Sequence, residues 1–196
     1  MSNLTLHDKL AVSDSKKTIR GFVSMFDNIK NRFIFQNKEN LVMNSGREFV
    51  KQLFVLNSGI IGATNDVKFT TPLVPKFRLS ACVFGTDSNA SRADMEYVPD
   101  NYALDYTILA TSPDFSVSFA DDMVLQITIS LNGLSTSQTM ISNLALVLTT
   151  GEEDGDVMNL LRSGDNSNTA LFSRLVFDPI PVGAGTNQTI TYYIYF

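Results

Sequence analysis

Apolar and polar side chains alternate with a period of two along most of this chain, which is the pattern of half-buried β-strands. The clearest example is residues 188–196, where one face would carry Ile190, Tyr192, Ile194 and Phe196 and the other Thr189, Thr191, Tyr193 and Tyr195. An apolar run at residues 171–177 precedes it, across a connection that contains Pro and Gly. The two runs predict a terminal hairpin. We expect its last residues to be held in a sheet or against another molecule, because a free tail frays.

Further segments with the same period raise the predicted total to about eight or nine strands. Residues 18–26 and 32–36 flank the turn-forming sequence Asp27-Asn28-Ile29-Lys30-Asn31 and predict a two-sided hairpin. Five more strands are predicted at residues 77–84, 106–110, 115–119, 123–131 and 141–149. Roughly even spacing and turn signals between the segments favour one antiparallel β-sandwich over residues 18–196, either jelly-roll-like or Ig-like.

Three segments depart from this period. Ser45, with Glu48 three residues later, has a capping-box arrangement, and apolar residues then recur at helical spacing, which predicts one short helix at residues 46–56. Residues 151–168 are acidic and then rich in Ser and Asn, and we interpret them as a connection that a short apolar stretch interrupts. Residues 1–17 are polar and weakly periodic, so we expect an N-terminal arm that is free or lies on a neighbour.

Composition narrows the range of partners. The 196-residue chain is 44% hydrophobic and 18% charged, with a net charge of −5. That charge opposes non-specific binding to nucleic acid or to an anionic membrane, although the basic residues lie mostly before position 80. No segment approaches the ~18 apolar residues of a membrane span. We therefore expect neither nucleic-acid nor membrane partners.

Residues that could carry catalysis are sparse. The single histidine, His7, lies in the expected arm, and the single cysteine, Cys82, lies in a predicted strand and suits a buried structural thiol. Zinc-ligand spacing and a phosphate-binding glycine loop are both absent from the sequence. The acidic residues 152–156 lack EF-hand spacing, so a solvated loop is favoured, with a loose divalent-ion site as the alternative. We expect no catalytic, cofactor-binding or metal-binding residues, and therefore no enzyme.

Two segments resemble a known class of proteins. They are Glu39-Asn40-Leu41-Val42-Met43-Asn44-Ser45-Gly46-Arg47-Glu48-Phe49-Val50 and Leu171-Phe172-Ser173-Arg174-Leu175-Val176-Phe177-Asp178-Pro179-Ile180-Pro181. With a strand leading to Gly85 and a closing strand of the Ile-Thr-Tyr-Tyr-Ile type, the chain resembles virion structural proteins of tailed bacteriophages, found among neck, tail and tail-fibre-associated components. The resemblance covers most of the chain after residue 18 and implies no catalytic residues.

From the residues and the resemblance together we expect a non-enzymatic structural subunit of a tailed-phage virion, in a neck or tail ring or a tail-associated component. It would act through symmetric assembly with copies of itself and with other virion proteins, after synthesis in the cytoplasm of the host bacterium. The expected interface residues are Arg174, which projects from the face opposite Leu175, then Tyr193 and Tyr195, and Leu4, Leu6 and Leu10 of the arm. The alternatives are a capsid decoration protein and a carbohydrate-binding receptor module.

Overall fold

The computed structural model describes residues 19–47, 49–50, 77–86, 88–89, 106–121, 124–132, 138–151, 153–163 and 168–196. The strands are β1 (Arg20–Asp27), β2 (Arg32–Val42), β3 (Arg78–Gly85), β4 (Tyr106–Leu109), β5 (Phe115–Asp121), β6 (Val124–Asn132), β7 (Thr139–Thr149), β8 (Thr169–Val182) and β9 (Asn187–Tyr195). Helix α1 contains residues 44–47 and 49–50, and helix α2 is Asp154–Ser163. The predicted arm, residues 1–17, lies outside the described residues.

All the described strand pairs are antiparallel, and they join in the order β4-β3-β7-β8-β2-β1-β9-β6-β5. The result is one nearly closed sheet of nine strands. The prediction of a mainly antiparallel β protein is therefore confirmed.

A narrow junction divides this sheet into two wings. The β7 wing contains β4, β3, β7 and β8, and the β1 wing contains β2, β1, β9, β6 and β5. The wings meet where Leu41 pairs with Arg174 and Val42 pairs with Ser173. The pairing of β2 with β8 is limited to these two residue pairs, and the rings of Phe35 on β2 and Phe177 on β8 meet with centroids 5.3 Å apart.

One buried apolar cluster fills the space between the wings. The β1 wing contributes Val23, Met25, Ile127, Ile190 and Ile194 to this cluster. The β7 wing contributes Phe84, Leu144, Leu146, Leu175 and Phe177. Burial of these branched and aromatic side chains is the main favourable term for folding, at about 1.5–3 kcal/mol for each fully buried side chain. The two wings therefore share one buried core.

Helix α2 covers the outer face of the β7 wing. Val157 and Leu161, one helical turn apart, pack on Ala145 and Val147 of β7 in a second buried cluster. Asp154 and Asp156 in the first turn and Arg162 in the last complement the helix dipole. The expectation of a single helix is therefore wrong. Val157 and Leu161 have the i, i+4 spacing of a helix, but Gly155 and the adjacent acidic residues made the segment look like a loop in composition.

The predicted terminal hairpin is also wrong. Strand β8 pairs with β7 and β2, whereas β9 pairs with β1 and β6, so the connection at residues 183–186 carries the chain from one wing to the other. Strand β8 also continues through both prolines, with Pro181 opposite Met140. Alternation assigns a strand's faces correctly, but it does not identify the neighbouring strand.

Helix α1 begins at residue 44, two residues before the predicted start, and the predicted residues 51–56 lie outside the described chain. The Arg47 N–H donates to the Met43 carbonyl at 3.0 Å, so the first helical hydrogen bond starts at Met43. The Ser45 hydroxyl donates to the Leu171 carbonyl. Ser45 thus ties the helix to β8, and Glu48, its predicted capping partner, lies outside the described residues.

Candidate interaction surface

The outer face of the β1 wing carries a group of aromatic side chains, which we call the open aromatic face: Phe22, Phe26, Phe33, Tyr193 and Tyr195. Phe22 meets Tyr195 edge to face with ring centroids 5.7 Å apart. Phe26 meets Phe33 in the same way at 5.0 Å. Among the described residues no helix covers this face, in contrast to the outer face of the β7 wing.

Strand register explains how the sequence builds this face. Phe22 pairs with Tyr193 across β1 and β9, and Phe26 pairs with Phe33 across β1 and β2. Because side chains in a strand alternate between faces, these positions point away from the core that Val23 and Met25 enter. Hydroxyl and amide side chains, Thr189, Thr191, Gln126 and Thr128, continue the face across β9 and β6.

Exposure of the aromatic residues is intermediate for most of the face and higher at its margin. Phe22, Phe26, Tyr193 and Tyr195 are half-buried, whereas Phe33 is 48% exposed. Exposed Arg20, which pairs with Tyr195, and exposed Glu39, which pairs with Phe22, lie beside these nine side chains, so the face combines aromatic rings with a polar and charged rim, as protein interfaces do. The face can also stack on the apolar side of a flat ligand.

Tyr193 and Tyr195, two of the predicted interface residues, lie together on this face. Arg174 does not join them, because it is fully buried at the junction between the wings. It shares its register position with Ala145 and Leu41, on the side of β8 opposite Leu175, as the alternation predicted. In the folded chain Arg174 therefore holds a structural position and does not reach a neighbouring molecule. Leu4, Leu6 and Leu10 lie outside the described residues.

The two segments that carry the resemblance meet at the same junction. The Met43 N–H donates to the Phe172 carbonyl at 2.9 Å. Gly46 lies so close to β8 that a Cβ atom there would stand 2.3 Å from the Phe172 carbonyl oxygen. The segment around Asn44-Ser45-Gly46 and the segment around Phe172-Ser173-Arg174 therefore form one structural unit that joins the wings.

A pocket of about 300 Å³ opens at one end of the sheet. Its walls come from the β1–β2 turn and from the connection before β9, with Ile34 and Ile180 between them. Gln188 lines it and is 5% exposed, and its Oε1 atom has no hydrogen-bond partner among the described residues. The turn is fixed in place because Asn28 Nδ2 donates to Asn187 Oδ1 at 2.6 Å and to Thr189 Oγ1 at 3.0 Å.

Asp27 supports this turn from the pocket wall. Its Oδ1 atom accepts the Lys30 N–H at 3.0 Å and the Ile29 N–H at 3.1 Å, and the Lys30 ammonium lies 3.6 Å from Oδ2. The hydrogen bond from the Lys30 main chain is the largest of the effects that hold the pKa of this carboxyl below its ordinary value. The carboxylate is therefore ionised at neutral pH and stabilises the turn.

Residues that could act as a nucleophile or bind a metal ion are not brought together in the described part of the chain. Cys82 is fully buried, as predicted, and burial raises the pKa of its thiol, which keeps it protonated and unreactive. Within the described ranges no three His, Cys, Asp or Glu residues are grouped so that they could hold a metal ion. The helices there include none long and apolar enough to cross a membrane.

Comparisons of this chain with protein-family models, with curated proteins and with solved structures find no match.

Proposed function

We propose that this chain is a non-enzymatic structural subunit of a tailed-bacteriophage virion, which assembles with copies of itself in a neck or tail ring. We also propose that its nearly closed sheet is a β-sandwich in which the β1 wing and the β7 wing are the two layers. The proposal of a virion subunit draws on the resemblance of the segments around residues 39–50 and 171–181, which form one unit at the junction.

The observation that carries the proposal is the difference between the two outer faces. Helix α2 covers one of them, whereas the other presents the open aromatic face. Apolar surface that a single chain leaves uncovered is commonly covered by a partner. In a ring every subunit makes the same contacts, so that a moderate interface repeated around the ring gives a stable assembly.

The experiment compares assembly of the full-length chain with that of two variants. Mass photometry of the wild-type chain should give particles of several subunits. Phe33→Ser, at a residue that is 48% exposed, should shift the mass distribution toward smaller species. Met140→Ser is the matched control, because Met140 is 47% exposed but lies on β7, away from the face. Equal assembly of the two variants, or a wild-type chain that stays monomeric, would contradict the role of this face.

The phage assignment needs a separate measurement. Mass spectrometry of purified virions from the source of this chain should detect the chain in a fixed ratio to the other virion proteins. Antibody labelling of the same particles should place it at the neck or tail. Labelling over the whole capsid would instead support a capsid decoration protein.

A carbohydrate-binding receptor module is the second candidate, and the mixture of aromatic and hydroxyl side chains on one open face favours it. A glycan array probed with the full-length chain distinguishes the two. Binding of a glycan that Phe33→Ser abolishes, together with unchanged assembly, would favour the receptor module over the structural subunit.

A further inference from the structure

Strand β5 forms one end of the sheet and, among the described strands, pairs only with β6. The Ser130 N–H donates to the Asp114 carbonyl at 2.8 Å, and the pairing then runs in regular register from Phe115 opposite Ile129 to Phe119 opposite Leu125. In an antiparallel pair, main-chain groups point alternately toward and away from the partner. Those of Val117 and Phe119 therefore point away from β6 and are available to another strand.

The same edge carries uncovered apolar side chains. Val117 is 52% exposed and Phe119 is 78% exposed, on the face that also carries the buried Phe115. Natural sheets protect their edges with lysine, proline, bulges or very short strands. The opposite edge strand, β4, has only 4 residues, whereas β5 has 7 and contains no charged residue or proline from Phe115 to Ala120. The charged residue of β5, Asp121, and a register shift between Phe119 and Asp121 lie at the C-terminal end of the strand, so the edge from Phe115 to Phe119 has none of these protections.

The order of side chains along this edge is the same in both directions. The segment reads Phe115-Ser116-Val117-Ser118-Phe119, with Val117 at its centre. Antiparallel pairing of two such strands around a two-fold axis at Val117 sets each valine opposite the other, each Ser116 opposite Ser118, and each Phe119 opposite Phe115. A two-fold interface must be complementary to itself, and this segment meets that condition.

We propose that β5 pairs antiparallel with β5 of a second copy of this chain, around a two-fold axis at Val117. The Val117 N–H and C=O of each copy then exchange hydrogen bonds with those of the other. The Phe119 N–H donates to the Phe115 carbonyl of the second copy, whereas the Phe115 N–H already donates to Ser112 at 3.0 Å. In this register Asp114 faces Ala120, so no carboxylate is set against a carboxylate.

This dimer does not depend on the proposed function, because it uses an edge of the β1 wing and leaves the open aromatic face uncovered. The area that a single strand pair buries is small compared with the ~800 Å² that a standard interface buries on each partner. We therefore expect an equilibrium that depends on protein concentration.

Sedimentation velocity of the full-length chain, over a range of concentrations, measures this equilibrium. The wild-type chain should show a concentration-dependent step that doubles the mass of the sedimenting species, and Val117→Lys should weaken this step about tenfold or more, because the axis sets the two lysines opposite each other. Val117→Asp should do the same. An equimolar mixture of the two variants should regain dimers, since only a two-fold pair centred at residue 117 sets lysine against aspartate. Met140→Lys, at a similarly exposed residue on β7, should leave the wild-type equilibrium unchanged.

A second variant makes the test independent of charge. Opposite residues of a hydrogen-bonded strand pair have Cα atoms about 5.5 Å apart, within the range of a disulfide. Mild oxidation of Val117→Cys should give a covalent dimer, and Met140→Cys should not. A wild-type chain without a dimer step, unchanged dimers in Val117→Lys, a mixture that stays monomeric, or failure of Val117→Cys to cross-link would each overturn the proposal.

Discussion

One glycine at the junction between the wings, Gly46, lets two backbones approach closely. Gly46 approaches β8 more closely than any side chain would allow, because a Cβ atom would stand 2.3 Å from the Phe172 carbonyl oxygen. That oxygen belongs to the main chain of a buried strand and also accepts the Met43 N–H, so it cannot move aside easily. Residue 46 must therefore be a glycine, because two backbones approach each other too closely there for a side chain.

Gly46→Ala should lower the free energy of unfolding by about 1–3 kcal/mol, the usual range for a group forced into a packed region. Gly155→Ala is the matched control, since a Cβ atom on that exposed residue of α2 would meet nothing within 4 Å. The control should be stabilised by about 0.5–1 kcal/mol, because alanine favours the helix. Urea denaturation measures both variants, and equal stability of the two would contradict the tight contact.

Asp27 should make stability depend on pH in the acid range. Its pKa is lowered in the folded chain, chiefly by the Lys30 N–H, so its contribution to stability is complete above the ordinary carboxyl pKa of about 3.9 and is lost as pH falls through the lowered value. Asp27→Asn should therefore lower the melting temperature at pH 7, and the difference from wild type should shrink toward pH 2.

Asp178→Asn, at an exposed residue of β8, is the control with the same change of charge. It should leave the melting temperature at pH 7 close to that of the wild-type chain. A gap between Asp27→Asn and wild type that stays constant from pH 7 to pH 2 would show that the carboxylate charge has no part in stabilising the turn.

At the scale of elements, β9 occupies a central place. It pairs with β1 along one side and with β6 along the other, and Ile190, Tyr192 and Ile194 enter the core from it. The face predicted by alternation is the face that is buried. The same alternation could not reveal that β9 leaves β8 and crosses to the other wing.

Deleting residues 194–196 should unfold or aggregate the chain. The deletion removes Ile194, which is 1% exposed, and the pairings of Ile194 and Tyr195 with strands on both sides. Loss of a buried isoleucine alone costs about 2–5 kcal/mol, against a typical total of about 5–15 kcal/mol. Circular dichroism and a thermal melt measure the result.

Deleting Phe196 alone is the control, since this residue follows β9 and is 37% exposed. That shorter deletion should retain a cooperative melt. If the longer deletion melted as the full-length chain does, β9 would not be the central strand described here.

Which elements the sequence can predict depends on the range of the interactions that form them. The period of two identified the strands and their faces, because burial of one face acts residue by residue. Helix α2 was missed although Val157 and Leu161 are spaced for a helix, because Gly155 and the adjacent acidic residues resemble a loop. Likewise, alternation gave Arg174 its correct face of β8, but its complete burial depends on elements far away in the sequence.

At the scale of the whole molecule, the two wings share one core but differ in what covers their outer faces. Within the described part of the chain, α2 covers the β7 wing, whereas the β1 wing presents the open aromatic face and ends at the edge strand β5. We therefore propose that contacts between subunits use the β1 wing and that α2 lies at the outside of the assembly. In a carbohydrate-binding receptor module, the open aromatic face would bind the ligand instead of another subunit. A measurement of assembly therefore distinguishes the two functions.

Electron cryo-microscopy of the wild-type chain, at a concentration where it assembles, tests this account most directly. We predict a symmetric particle in which the open aromatic face is buried between subunits and α2 is exposed to solvent. A particle held together through α2 with Phe33 and Tyr193 exposed, or a chain that remains monomeric at every concentration, would contradict it.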